Sequence, residues 1–225
     1  PATLRHAAAR RLVSQANPDL DDAARRLIAA GPKHGIDFDL CWVVPDEAGT
    51  GVRQAALAVR GAGRTAMVFL SEPRPDMAED PIQGRRDRAA CLHAACNFFA
   101  QREPDRVHVA QLLPEPGEVW TIEAAADAGF THVGDLSYLR REGRRGRKDT
   151  REYTPADAGP WPEGIDIRSV TEFGDETASG RAQRDHVLLE ALESTYADTL
   201  DCPELCGMRE TPDVLESHRS TGEFD

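Results

Sequence analysis

The chain has little of what would let it bind polyanions. Aromatic residues make up 6% of its 225 positions, and the formal net charge is −12. A global nucleic-acid or anionic-membrane binder needs a positive field, and this acidity excludes both. No apolar run approaches the ~20 residues of a membrane span. The opening PATLRHAAARRLVSQ carries arginines but no apolar signal core, so a cytoplasmic protein is expected. The five cysteines (Cys41, Cys91, Cys96, Cys202, Cys206) lack the paired spacing of a zinc site, and reduced structural thiols are expected instead. Cys202 and Cys206 with a distant His218 are the weak remnant of a metal reading, and no metal is expected.

What is present is a globular composition, 40% hydrophobic and 29% charged, in a length that allows one large domain or two small ones. Residues 2–16 and 19–30 read as helices, the second capped by Asp19 and stopped by Gly31-Pro32. Three apolar runs, 38–44, 52–59 and 65–70, read as strands. Arg60-Gly61-Ala62-Gly63-Arg64 is a turn of hairpin length between the last two, so an antiparallel meander is expected. Residues 85–101 read as a helix with Ala89, Leu92, His93, Cys96, Phe99 and Ala100 toward a sheet. His93 on that face is expected to be a core histidine. The run 107–113 reads as a strand parallel to 65–70, since one helix crosses over between them. A helix over 118–128 follows, with Gly129-Phe130 as a left-handed cap and its apolar follower. A last strand is expected over 131–140.

Beyond it lies a basic stretch with Arg140, Arg141, Arg144, Arg145, Arg147, Lys148 and Arg151, continued by Pro155, Pro160 and Pro162. A strand is expected at 164–170, then helices at 185–196 and 211–219. The restart divides the chain into a domain at 1–142, a basic linker at 143–163 and the opening of a second domain at 164–225. Starting on Pro1 and stopping at Glu223-Phe224-Asp225 is what a piece of a longer chain would show.

The stretch 65–101 carries the chemistry: a buried strand, a polar loop, then Arg85, Arg86 and Arg88 entering a helix. Helix N-terminal amides and nearby guanidiniums both favour a phosphate. The order of elements over 38–140, with AMVFLS before RRDRAACLHAAC and AAADAGFTHVGDLSY closing the series, resembles the GNAT family of acyl-CoA-dependent N-acyltransferases. ALESTYADTLDCPEL and DVLESHRSTGEFD resemble the acceptor-side helices of bacterial tandem-domain members.

That resemblance implies an α/β (α+β) fold with a mostly antiparallel mixed sheet around a central parallel pair. It implies acetyl-CoA as co-substrate and an amine of a small molecule or protein as acceptor. Backbone groups of Val68, Phe69 and Leu70 would pair with the pantetheine arm at a splayed edge. Arg85, Arg86 and Arg88, with amides up to Ala89 and Ala90, would face the pyrophosphate. Arg88 stands where the family's cofactor loop has glycine, and Ala125 stands where many members carry an acid tyrosine. His108 and Tyr138 are the remaining candidates for base and acid, and Tyr196, Asp201 and Glu204 for an acceptor mouth. The expected activity is acyl transfer, with the chemistry placed in the second domain. The alternatives are a non-catalytic scaffold for an active partner domain and, on the basic linker alone, a nucleic-acid-associated module.

Overall fold

The structure, a computed structural model, describes residues 2–73, 80–101, 106–136, 163–164, 168–197 and 206–220. They fall into two compact units: 1–133 with 200–225, and 134–199. The larger unit is a mixed α+β fold. Its four-stranded sheet has the order β1-β2-β3-β4, with β1 Cys41–Pro45, β2 Val52–Gly61, β3 Thr65–Leu70 and β4 Val109–Gln111. The β1/β2 and β2/β3 pairs are antiparallel and β3/β4 is parallel, as one crossover helix requires.

Helices cover both faces of this sheet. Helices α1 (Ala2–Leu12) and α2 (Leu20–Ala30) precede it, α3 (Pro81–Ala100) is the crossover, and α4 (Val119–Asp127) follows β4. Strand alternation sorts the core. Cys41, Val43, Val52 and Ala55 face Leu4, Ala7, Ala8 and Leu12 of α1. Trp42, Val44, Ala56, Ala58, Ala66 and Val68 face the side packed by Ala89, Leu92 and Phe99 of α3. Ala55, Ala56 and Ala58 of the central β2 are wholly buried, and their small side chains let helices approach the strand from both sides. Trp42, Phe98 and Phe99 close one region of this core as three edge-to-face pairs, 5.5 to 5.8 Å between centroids.

Local chemistry sets the boundaries. The Asp19 carboxylate accepts from the Asp22 amide and caps α2, as expected. Gly129 (φ 83°) and Phe130 end α4: Phe130 N donates to Ala125 O and Gly129 N to Ala126 O, the two bonds of a Schellman cap. Four expected boundaries move. Residues 38–40 form a 3₁₀ turn before β1, because Asp37 caps the Asp39 amide. The first helix stops at Leu12, short of residue 16. The expected strand over 107–113 is limited to three residues at its centre. Residues 131–136 form no strand, and 137–140 lie outside the described residues. His93 and Ala100, expected to face the sheet, are exposed.

The smaller unit contains a 3₁₀ turn at Val170–Phe173 and α5 (Ala178–Tyr196); most of the strand expected at 164–170 lies outside the described residues, at 165–167. Ser169 and Glu172 form a reciprocal capping box, which commits this segment to a helical turn. Thr177 caps α5, and Gly180 lies where a Cβ would strike Asp175 at 2.4 Å or less. A last helix, α6 (Thr211–Ser220), belongs to the larger unit, so the expected second domain at 164–225 is divided differently in space.

Candidate functional site

The β3–α3 connection is the place to test. Strands β3 and β4 pair only at Thr65/Val109, Ala66/Ala110 and Met67/Gln111. Strand β3 continues through Val68, Phe69 and Leu70, held on its other side by Ala58, Leu57 and Ala56 of β2. Alternate residues of a strand send their amide and carbonyl to opposite edges. One edge of 68–70 therefore extends past the last partner on β4. Val68 is buried, Leu70 half-buried and Phe69 half exposed, at 50%. This opening is where the resemblance puts a pantetheine arm.

The arginines do not join it as expected. Helix α3 begins at Pro81, one turn earlier than residue 85, with Asp80 as cap and proline presetting the first φ. At ~1.5 Å per residue, Arg85 lies about 6 Å and Arg88 about 10 Å along the axis from Pro81. The first-turn amides belong instead to residues 82–84, and Asp80 already takes two of them, its carboxylate accepting from Ile82 N at 3.0 Å and its carbonyl from Gly84 N at 2.8 Å. The amides of Ala89 and Ala90 are interior to the helix and cannot cradle a pyrophosphate.

Each arginine has another task. Arg85 makes a two-pronged bond to Asp127 of α4, both contacts at 2.5 Å, with Glu123 at 3.7 Å. The hydrogen bond from Arg85 holds the Asp127 carboxyl below the usual 3.8, and Asp127 in turn raises the guanidinium. Arg88 is 3% exposed and lies over the Trp120 ring, 5.1 Å from its centroid. Arg86 alone of the three is exposed. The segment read as a phosphate cradle is a seam between α3 and α4.

A polar cluster that the sequence did not reveal borders the same end of the sheet. Asp87, 7% exposed, accepts from Arg53 at 2.9 Å and from Gln83 at 2.7 Å. Ser71 donates to Gln54 at 2.8 Å and accepts from the Ala55 amide at 3.0 Å. Arg11 of α1 reaches the carbonyls of Arg53 and Glu72. Arg53 is paired with a carboxylate and Arg11 with backbone carbonyls, so the cluster ties α1, β2, β3 and α3 together. Its only sequence signal was polar residues flanking apolar runs, which is also what strand ends look like.

His108 precedes β4 at the opposite, paired end of the strands. Its amide donates to Arg64 O, and its ring Nε2 lies 3.2 Å from the Arg64 guanidinium. A guanidinium only donates, so this nitrogen accepts and its lone pair is engaged. The other ring nitrogen faces Asp213 at 3.8 Å. Four residues of strand, about 13 Å at ~3.3 Å each, separate this end from Phe69. His108 is thus not placed beside the opening. Tyr196 is exposed at the end of α5. Tyr138, Asp201 and Glu204 lie outside the described residues, as does the whole basic stretch from Arg140 to Pro162.

A shallow depression of about 430 Å³ lies elsewhere, between α1 and β1, lined by Leu4, Ala8, Cys41 and Val43 with Arg5 and Asp39. Arg5 and Asp39 pair at 2.8 Å, so it offers no unpaired charge to a ligand. Among the described residues no group of three His, Cys, Asp or Glu is placed to hold a metal, and no helix is long and apolar enough to cross a membrane. No family model, no curated protein and no solved structure matches the chain.

Proposed function

We propose that this chain belongs to an acyl-CoA-dependent N-acyltransferase of GNAT-like architecture, in which the larger unit supports the transfer without performing it. The order of elements favours the architecture: an antiparallel meander, a crossover helix, a parallel strand, and a helix ended by Gly129-Phe130. The observation that carries the supporting role is the use of Arg85 and Arg88 as ties to α4. A cation already hydrogen-bonded or stacked must give up that partner before it meets a phosphate. The acyl donor would be acetyl-CoA or a related thioester, and the acceptor an amine.

One observation favours a second reading, direct binding of the donor by this unit. The edge of Val68, Phe69 and Leu70 beyond the end of β4 offers an amide and a carbonyl to a pantetheine arm. Calorimetry with acetyl-CoA separates the two. The supporting role predicts no saturable heat with the 225-residue chain. Saturable binding that Arg85→Ala/Arg88→Ala abolishes would overturn it. The acyltransferase reading itself is tested in the protein that carries this chain, by release of free CoA thiol with a panel of primary amines. Turnover per folded molecule should stay within about twofold in Arg85→Ala, while absence of turnover with every amine would sink the assignment.

A further inference from the structure

The turn between β2 and β3 was read as a connection, and α6 as part of another domain. The structure joins them atom by atom. Gly63 has φ 66° and Arg64 φ 55°, two successive left-handed residues. A Cβ on Gly63 would lie 1.9 Å from the Asp213 carbonyl oxygen and 2.5 Å from the Arg209 guanidinium, so only glycine lets the α6 backbone seat here.

The turn's carbonyls are then satisfied from the helix. Ser217 donates to Ala62 O at 3.0 Å and Arg209 to Gly63 O at 3.2 Å. Arg209 also donates to Asp213 O at 2.7 Å and Ser217 Oγ at 2.8 Å. In the other direction Arg64 reaches up from the turn. Its Nε donates to both Asp213 oxygens at 2.8 Å, and another nitrogen donates to Glu210 at 2.7 Å. Its third nitrogen meets His108.

The chemistry of this joint is polar almost throughout. Asp213 is 6% exposed and Leu215 is the one apolar side chain of α6 that is buried to the same degree. A helix held by apolar burial cannot leave without unfolding the core beneath it. One held by a ring of directional bonds onto a turn can release as a piece, because the sheet keeps its own ladder.

We propose that α6 is a detachable strap, closed on the β2–β3 turn by Arg64 and Asp213, whose release uncovers His108 and the paired end of the parallel strands. The closed form engages the His108 lone pair through Arg64 and places Asp213 across its other nitrogen. The open form leaves an accessible imidazole beside a freed guanidinium, a pair suited to an anionic partner.

Hydrogen exchange on the intact chain tests this, read by mass spectrometry with histidine modification by diethyl pyrocarbonate in parallel. In Asp213→Asn, amides of 211–220 should exchange at least tenfold faster and His108 should react severalfold faster. Amides of β2, β3 and α3 should stay within about twofold of the unsubstituted chain. Gly63→Ala, which disturbs the seat of α6 without touching charge, should likewise accelerate 211–220 well beyond β2, β3 and α3. Unchanged exchange at 211–220 in both variants would overturn the strap. So would equal acceleration in β2, β3 and α3, or failure of both variants to fold, because α6 would then be an integral part of the core.

Discussion

The parallel strands β3 and β4 have two ends that the chain treats in opposite ways. At the end where both begin, Arg64, His108, Glu210 and Asp213 meet in one network and α6 seals the turn. At the other end β4 stops at Gln111 while β3 runs on to Leu70, leaving strand edge beside α3. The closed end commits its charges to a distant segment, Asp213 lying 149 positions after Arg64. The open end spends them locally, on α4 and among β2, β3 and α3. A cation near a strand end is therefore poor evidence of a ligand site until its partners are known. Both ends are rich in arginine, and at both the described carboxylates and carbonyls reach several of those arginines first.

The core shared by both ends sets the largest effect. Phe99, 2% exposed and stacked against Trp42 and Phe98, should cost about 4 kcal/mol when replaced by alanine. Denaturant unfolding would measure it as a lower midpoint at unchanged slope. A loss near 1 kcal/mol would mean that the two ends do not rest on one core.

Arg88→Ala probes the open end. A desolvated guanidinium over an indole contributes ~2 kcal/mol, and Arg88 is nearly sealed from water against Trp120. The variant should lose about that much stability, roughly 6 °C in Tm for a unit of this size. Trp120 fluorescence should shift with it. A variant of full stability would show that the stack is incidental and return Arg88 to the candidates for phosphate binding. Next in size is Gly63→Ala at the closed end. A left-handed alanine costs ~1 kcal/mol in the turn itself, and the clash with the Asp213 carbonyl adds a further loss at α6.

Much of the open end was legible in advance. Apolar runs broken by glycine and proline place all four strands, and Gly129-Phe130 announces its own cap because left-handed glycine followed by an apolar residue has few other uses. The start of α3 was misplaced by one turn because Arg85-Arg86 looked like a boundary, while Asp80-Pro81, a cap followed by a residue with preset φ, was the real one. The closed end was not legible. Arg64 and Asp213 carry no local pattern that pairs them, and a helix held by polar bonds leaves no hydrophobic stripe to reveal its seat.

Thiol chemistry separates the buried sheet from the surface without disturbing either end. Burial pushes the Cys41 and Cys91 thiols up to about 12, and raises Cys96 as well. Cys206 is exposed. At pH 8 iodoacetamide should modify Cys206 within minutes, half-buried Cys41 far more slowly, and buried Cys91 only when the chain unfolds. Because burial raises the folded values above the ordinary 9.0, the neutral thiols favour folding fully below pH 9. That contribution is lost as pH rises toward about 12. Early labelling of Cys91 would show the α3 face of the sheet opening as a unit.

The smallest effect concerns the exposed tie at the open end. Arg85 holds the Asp127 carboxyl below its ordinary 3.8, so the pair favours the folded state above that value and ceases to as pH falls through the lower folded one. Asp127→Asn should leave stability near pH 7 almost unchanged, since solvent screens a pair this exposed. Its mark is a shallower fall in stability below pH 4, measured by acid titration of circular dichroism. Acetyl-CoA makes the same curve a test of the open end. If Arg85 stays with Asp127, saturating acetyl-CoA leaves the acid limb of the unsubstituted chain where it was. If phosphate draws Arg85 away, the limb flattens toward that of Asp127→Asn, and the seam between α3 and α4 is a cofactor site after all.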